Sequence, residues 1–355
     1  MKPTYIPIYR ALAAGIAAAW LLAAGAAQAA APQTIDEIAV YAGADRQAVL
    51  EAGARKEGSI LVYGAGAQVQ PLNDAFMALY PFLRVEFFHG AGPEIPRRVT
   101  EEYKVGRHVV DAFDSGGGTI MAIRNAGVLR PFYSPELAAL RPEGVEMTPG
   151  GALRATNYES YVSLGYNTKQ VSEAEVPRTY DDLLDPKWRG KMGVAATQVP
   201  NWIGTALLDR GEDFVRKMAV QKVKVFNVTG RAGANLVVSG EIPLSPAVFD
   251  SHMINSERQG ASVSWKPIGG VYGTVGCVAL ALHAPHPHGA LLYIDFIISR
   301  AGQEMYKTQG YSSARKDIES TKERPAKVYY LGDRPTYPED FEKWNALGRQ
   351  VFGGG

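Results

Sequence analysis

The run Asp114-Ser115-Gly116-Gly117-Gly118-Thr119 carries the clearest chemical signal in the sequence. It follows an apolar strand-like segment and precedes a helical one, so backbone N–H groups and hydroxyls converge where a helix begins. Such a turn binds carboxylate, phosphate or phosphonate groups. The alternative is a tight turn that needs glycine for positive φ. The run predicts ligand contacts from Ser115, Gly116, Gly117 and Thr119.

Arg231 is the second candidate for holding an anion. It stands in Thr229-Gly230-Arg231, just before an apolar helical stretch, and its guanidinium would supply a bidentate contact. A solvated surface arginine explains the same residue equally well. The sequence therefore leaves the role of Arg231 open.

Patterns typical of catalysis or of a metal site are weak in this chain. Gly64-Ala65-Gly66 follows a strand as a dinucleotide motif would, but Val69 replaces the third glycine, so a cleft-lining loop explains it better. His283, His286 and His288 are interleaved with prolines at a predicted helix start. No nucleophile elbow, phosphate-binding P-loop or Ser-His-Asp order is visible in the sequence. We therefore expect a protein that is not an enzyme and has no cofactor and no metal site.

The N-terminus and the charge predict an exported protein. Lys2 and Arg10 precede the apolar stretch 11–24, and Ala27-Gln28-Ala29 fits the cleavage rule, so residues 1–29 are predicted to be a signal peptide for export to the periplasm. Their removal leaves 35 basic against 36 acidic residues, a net charge of 35 − 36 = −1. Such a charge predicts no attraction to nucleic acid or to an anionic membrane. Cys277 is the only cysteine, so no intramolecular disulfide is possible.

Short apolar runs alternate with amphipathic stretches in the rest of the chain, which is typical of an α/β protein with mainly parallel sheets. The tyrosine-rich run 158–166 predicts a strand that crosses into a second lobe, and 271–282 predicts a strand that returns. In the first part of the chain, the pattern predicts strands at 60–63, 84–88 and 108–113 and helices at 71–80, 94–103 and 119–125.

Several segments resemble the bacterial extracellular solute-binding proteins of the larger two-crossover class, in particular the branch that contains periplasmic ferric-ion-binding proteins. In chain order these segments are Ile60–Ala65, Leu164–Thr168, Leu183–Lys191, Val238–Pro243, and His286–Ser299 with Gly302-Gln303 beyond it. The resemblance implies a type II periplasmic-binding-protein fold, in which each of two lobes is a mainly parallel sheet flanked by helices and the lobes close on a ligand cleft between them. Residues 30–157 and 276–355 are then predicted to form lobe 1, and 158–275 lobe 2.

The resemblance also bears on the ligand. It implies that Asp250 and Tyr272 face the cleft, where they would orient a polar group. Ferric members of the family hold the metal with two adjacent tyrosines, and Phe249-Asp250-Ser251 occupies that place here. Because ferric ion prefers phenolate and carboxylate oxygens, iron would need other tyrosines, such as Tyr158, Tyr161 or Tyr272.

The sequence therefore predicts the periplasmic substrate-binding component of an ABC importer. It would be a monomer that captures a small anionic organic solute by hinge closure and presents it to an inner-membrane permease. A ferric-ion carrier is the alternative, an exported hydrolase on the same fold is a distant one, and a sensor subunit for a membrane receptor would share the same residues. The predicted ligand contacts are Gly64, Ala65, Ser115, Gly116, Gly117, Thr119, Tyr158, Arg231, Asp250 and Tyr272.

Overall fold

The computed structural model describes residues 32–90, 93–320, 324–334 and 336–353. The predicted signal peptide, residues 1–29, lies outside these described residues. Across the described segments, each helix is too short or too polar to cross a membrane.

The described residues form twelve strands and twelve α-helices. The strands are β1 Ser59–Gly64, β2 Arg84–His89, β3 Ala112–Gly116, β4 Leu129–Arg130, β5 Val145–Thr148, β6 Gly151–Asn167, β7 Gly193–Ala195, β8 Lys224–Phe226, β9 Leu244–Phe249, β10 Val263–Lys266, β11 Val271–Ala281 and β12 Val328–Tyr329. The helices are α1 Ile35–Ala39, α2 Arg46–Glu57, α3 Gln70–Leu79, α4 Glu94–Lys104, α5 Gly117–Asn125, α6 Val199–Arg210, α7 Glu212–Lys217, α8 Gly230–Ser239, α9 Asp250–Arg258, α10 Pro287–Ile298, α11 Arg300–Thr308 and α12 Tyr337–Phe352.

The long strands β6 and β11 organise a ten-stranded sheet whose main path is β10-β6-β11-β3-β1-β2. The α/β class is confirmed, and β1 pairs in parallel with β2 and β3 as predicted. The sheet is nevertheless more mixed than predicted, since β11 is antiparallel to both β6 and β3, and β9 is antiparallel to β6. The reason is that β6 and β11 are the two crossover strands, which run in opposite directions.

Strand β3 begins later than the pattern predicts. The apolar run 108–113 predicts the strand, but the parallel ladder with β1 starts at Ala112. Just before it, the Asp111 carboxylate accepts a hydrogen bond from the Leu61 N–H at 2.7 Å and another from the His286 N–H at 2.6 Å. Because the Asp111 side chain accepts the hydrogen bond from the Leu61 N–H of β1, the regular ladder of β3 begins one residue later, at Ala112.

Buried apolar residues form separate cores at the two ends of the crossover strands. A first core draws on 38–155 and 275–314, and the others draw mainly on 161–272. Strands β6 and β11 each contribute residues to the first core and to the others, so they connect the two packed units. The predicted lobe boundaries, at 157/158 and 275/276, stay predictions.

The C-terminal helix α12 packs against the second core. Residues 276–355 are predicted to belong to lobe 1, but Trp344 and Val351 are buried in the core that contains Trp202 and Ile203 of α6. The Trp344 ring packs directly on Gly204, where an added Cβ would lie 2.7 Å from the ring. The apolar face of α12 is covered by α6, and this contact is invisible in local patterns.

Candidate functional site

The turn between β3 and α5 presents the start of a helix with free backbone donors. Gly116 is the N-cap residue of α5 and has no side chain that could accept a hydrogen bond from the first turn. Gly117, Gly118 and Thr119 form that turn, which contains no acidic residue. Their N–H groups, together with the helix dipole, favour a negative charge in front of them.

The glycines of this turn are not required by backbone strain. Gly116 has φ −60° and ψ 148°, an extended conformation that any residue adopts. Gly117 and Gly118 are likewise absent from the positive-φ glycines of the described chain. The alternative explanation of the run, a turn that needs left-handed residues, is therefore wrong. What the missing side chains provide is open space in front of the helix.

That space is a cavity of about 210 Å³, which we call the glycine cleft. One wall is Gly116–Thr119, and the other is the β11 segment Tyr272–Val275 together with Tyr330, Gly332 and Tyr337. The cleft thus places the start of α5, from the first core, opposite Tyr272 and Tyr337, which pack with the second, while Tyr330 packs against the first. A ligand in it would touch both units at once.

Two tyrosines of the glycine cleft, Tyr330 and Tyr337, have raised pKa values and stay protonated. Burial, helped by the nearby Glu159 carboxylate, raises the pKa of Tyr330 to about 12. Burial also raises the pKa of Tyr337, whose hydroxyl donates to Asn201 Oδ1 at 3.0 Å. The wall opposite α5 therefore offers apolar ring faces and phenol groups, which suits a hydroxylated or carbon-rich group better than a second charge.

Tyr330 is held in place by a buried ion-pair network. Its hydroxyl lies 3.4 Å from Glu159 Oε1 and accepts a hydrogen bond from Arg324 Nη2 at 3.2 Å. Glu159 is only 1% exposed and also accepts from Arg141 Nη2 at 2.9 Å. Sequence reasoning missed Tyr330 and Tyr337, because the segment that carries them returns along β11 by pairing Val328 with Val271.

Four predicted contacts meet in the glycine cleft: Gly116, Gly117, Thr119 and Tyr272. Three others from the same region do not line it. An added Cβ on Gly64 would lie 2.1 Å from the Asp114 carbonyl oxygen, to which the Ala65 N–H donates at 3.3 Å, so both residues hold β1 against β3. Ser115 is 2% exposed and pairs with Cys277 in the antiparallel ladder of β3 and β11, and its hydroxyl has no hydrogen-bond partner among the described residues.

Tyr158, Arg231 and Asp250 do not line the glycine cleft, although Ser160 links Asp250 to Thr274 of the cleft. The Tyr158 hydroxyl accepts a hydrogen bond from Gln68 Nε2 at 3.0 Å, and its ring packs 4.5 Å from that of Tyr311. Arg231 is exposed and its Nη1 lies 3.4 Å from the His252 carbonyl oxygen. Asp250 is 2% exposed and starts α9. The structure thus separates the predicted contacts into two places.

Comparison with known proteins decides the family. A profile of the family described as "Bacterial extracellular solute-binding protein" matches residues 120–334, which is more than half of the chain. The chain belongs to this family. Its members are solute-binding transport proteins, and the earlier resemblance is confirmed.

Curated relatives of this solute-binding protein are distant. An uncharacterized protein of Haemophilus influenzae is 25% identical over 201 residues, which cover 53% of this chain and 57% of that protein. Iron uptake protein A1 of Synechocystis is 22% identical over 203 residues, covering 52% and 56%. The chain therefore spans little more than half the length of these relatives.

Solved structures show the fold of the solute-binding protein. The Trichodesmium protein IdiA (FutA), in complex with iron and citrate, has a TM-score of 0.65 at 16% identity, covering 84% of this chain and 100% of that one. The periplasmic binding protein AfuA of Actinobacillus pleuropneumoniae, with fructose-6-phosphate bound, has a TM-score of 0.58 at 19% identity, covering 83% and 97%. The two-lobed periplasmic-binding fold is therefore confirmed.

The start of α9, where ferric relatives were expected to carry tyrosines, has a different role in this solute-binding protein. Phe249 ends β9, and Asp250 Oδ1 accepts hydrogen bonds from Ser160 Oγ at 2.6 Å, the Tyr161 N–H at 2.9 Å and the Ser251 N–H at 2.7 Å. The carboxylate is occupied by protein donors. Among the described residues, no cluster of three or more His, Cys, Asp or Glu side chains could hold a metal ion.

The buried carboxyl of Asp250 makes the folding stability of this solute-binding protein depend on pH. Burial raises its pKa to about 7, in spite of its hydrogen-bond donors. Between about pH 4 and pH 7 the folded protein therefore holds a proton that the unfolded chain releases, so stability falls as the pH rises through this window. We expect Asp250→Asn to weaken this fall, measured as urea midpoints at closely spaced pH values.

The buried carboxyl of Asp114 is the internal control for this measurement, because its pKa is also raised to about 7 by burial. It remains in Asp250→Asn, so some loss of stability toward pH 7 should persist. Identical pH profiles for the wild type and the variant would contradict a raised pKa at Asp250.

Proposed function

We propose that this protein is the periplasmic substrate-binding component of an ABC importer and that it captures a small anionic organic solute. The observation that carries the proposal is the start of α5, whose free N–H groups open onto the glycine cleft. The solute's carboxylate, phosphate or phosphonate group would bind there. An inner-membrane permease would receive the solute, and neither catalysis nor a cofactor is part of this role.

The glycine cleft offers both an anion-binding helix start and apolar surface for such a solute. Converging N–H donors at a helix start stabilise an anion without a counter-charged side chain. Rings of Tyr272, Tyr330 and Tyr337 would cover the organic part, and their hydroxyl oxygens would accept hydrogen bonds from its hydroxyls. A cavity of about 210 Å³ is smaller than the roughly 300–1,000 Å³ typical of drug-sized ligands, so the solute is small.

Hinge closure would couple binding to transport. Strands β6 and β11 connect the packed units, and the cleft lies beside β11. A solute that touches α5 and the tyrosines together would stabilise the closed arrangement, since a ligand shifts an equilibrium toward the state it binds better. In this proposal lobe 1 contains 30–157 and the chain from 276 except α12, whereas lobe 2 contains 158–275 and α12 moves with it.

The related structures support two ligand classes. Fructose-6-phosphate, present in the AfuA structure, combines a phosphate with hydroxyls and fits an anion site faced by phenols. Iron and citrate are present in the Trichodesmium structure. A ferric-ion carrier is therefore the second candidate, and the observation that favours it is the presence of three tyrosines in one cleft.

Recovery of the bound solute tests the proposal. We expect protein purified without refolding to release an anionic organic molecule on denaturation, detected by mass spectrometry, and to be colourless with substoichiometric iron. Tyr158 and Tyr161 are further poor candidates for phenolates, since burial raises the pKa of both well above the usual value. Stoichiometric iron with a visible tyrosinate band, lost in Tyr337→Phe or Tyr272→Phe, would establish the ferric carrier instead.

A further inference from the structure

Four exposed cations gather at one end of the second packed unit: Arg189, Lys191, Lys222 and Lys224. They lie on two segments that run side by side. The Gly190 N–H donates to the Gln221 carbonyl oxygen at 2.8 Å, and the Lys224 N–H donates to the Met192 carbonyl oxygen at 2.9 Å. We call these four residues the lysine surface.

The three lysines lie at the beginning of two paired strands. Gly193 pairs with Lys224 in the parallel ladder of β7 and β8. The intervening residues Met192 and Val223 are buried in the second core. Lys191, Lys222 and Lys224 are all exposed and lie at the amino ends of the two strands, away from their carboxyl ends.

The protein balances the charge of the lysine surface only in part, through an electrostatic interaction between Lys191 and Glu175. None of its four side chains takes part in an ion pair within 4.0 Å among the described residues, whereas the neighbouring Lys187 lies 3.9 Å from Asp185. The predicted mature chain has a net charge of 35 − 36 = −1. This net charge predicts no attraction to an anionic membrane. A net charge is a sum over the whole chain, however, and does not show that four positive side chains lie close together on the surface.

Lys222 adds an independent observation. It has φ 51° and is the only non-glycine residue at positive φ in the described chain. An L-residue is disfavoured there, whereas glycine adopts this conformation freely. Glycine would fit this backbone conformation with less strain than lysine. We therefore infer that the lysine side chain, and not the turn geometry, is the reason for lysine at this position. Val220, 62% exposed two residues earlier, adds an apolar group beside the charges.

We propose that the lysine surface binds the anionic phospholipid headgroups of a bilayer. Protein interfaces are depleted in lysine and enriched in aromatic residues and arginine at their centres, and this surface is lysine-rich without an exposed aromatic ring among its four residues. Lysines near an anionic membrane are attracted without needing a fixed geometry. The three lysines and Arg189 together give weak, reversible binding that concentrates the protein at the membrane.

Vesicle sedimentation of the mature protein tests this. We expect it to pellet with vesicles of equal parts phosphatidylglycerol and phosphatidylcholine at about 20 mM salt, and to be released at about 300 mM salt because exposed charges are then screened. Pure phosphatidylcholine vesicles should not retain it. Lys191→Gln/Lys222→Gly/Lys224→Gln should bind more than tenfold more weakly, since each lysine contributes about fivefold.

A matched variant separates the place of the charges from their number. Lys56→Gln/Lys104→Gln/Arg107→Gln removes three exposed cations from the other packed unit and should bind as the wild type does. Lys222→Gly alone should weaken binding without lowering the melting temperature, because glycine fits the left-handed backbone. Equal loss of vesicle binding in the two triple variants would overturn the proposal. So would wild-type protein that does not bind vesicles or that binds them equally well without phosphatidylglycerol, and an acidic protein partner would then be the alternative.

Discussion

Gly118→Asp is expected to abolish solute binding while leaving the protein at least as stable as the wild type. Gly118 is exposed in the first turn of α5, and an added Cβ would meet only the Gly332 carbonyl oxygen, at 3.8 Å. The new carboxylate would occupy the anion position in the glycine cleft, and like charges placed together cost several kcal/mol. We expect a loss of about 100-fold or more, equivalent to about 2.7 kcal/mol.

The same substitution favours the fold. An acidic residue in the first turn of a helix contributes about 0.3–1 kcal/mol through the helix dipole, so the melting temperature of the ligand-free protein should not fall. Calorimetric titration with the solute recovered from the purified protein measures the affinity, and thermal unfolding measures the stability.

Two control variants test whether the loss of affinity depends on the negative charge and on its position in the glycine cleft. Gly118→Asn has nearly the size of the aspartate but no charge, and it should retain most of the affinity. Arg231→Ala removes a cation that lies outside the glycine cleft and should leave the affinity unchanged. A tenfold loss in Arg231→Ala, about 1.4 kcal/mol, together with normal binding in Gly118→Asp, would place the anion near α8 and α9 instead.

Trp344→Ala is expected to be the most destabilising substitution in α12. The side chain is 7% exposed and packs on Gly204 of α6, so its truncation leaves a cavity between the two helices. Large-to-small changes of buried aromatic residues cost about 3–5 kcal/mol. Urea unfolding should show this loss, whereas Lys343→Ala, on the exposed side of the same helix, should change stability by less than about 0.5 kcal/mol.

A double-mutant cycle identifies the contact. Gly204→Ala alone should destabilise the protein, since the added Cβ would lie 2.7 Å from the Trp344 ring. In the Trp344→Ala background the same methyl group enters the space left by the ring, so it should be tolerated. The two effects are therefore expected to be non-additive, as for residues in contact. Additive effects would contradict the packing of α12 on α6.

The lysine surface shows what a sequence total leaves out. Net charge is a sum, and near neutrality it is compatible with an even distribution or with separated patches. Lys191 and Lys222 are 31 positions apart in the chain and become neighbours only because the segments before β7 and β8 run side by side.

The amino-acid sequence by itself determined the α/β class, the two crossover strands, the family and the helix start after β3. These features are written in local patterns: apolar periodicity, turn residues and ordered family segments. Only the tertiary structure decided that Tyr330 and Tyr337 complete the glycine cleft, that Ser115 is buried where β3 pairs with β11, and that α12 packs on α6. Each of these depends on contacts between segments distant in the chain, where shape and burial, not local propensity, select the partner.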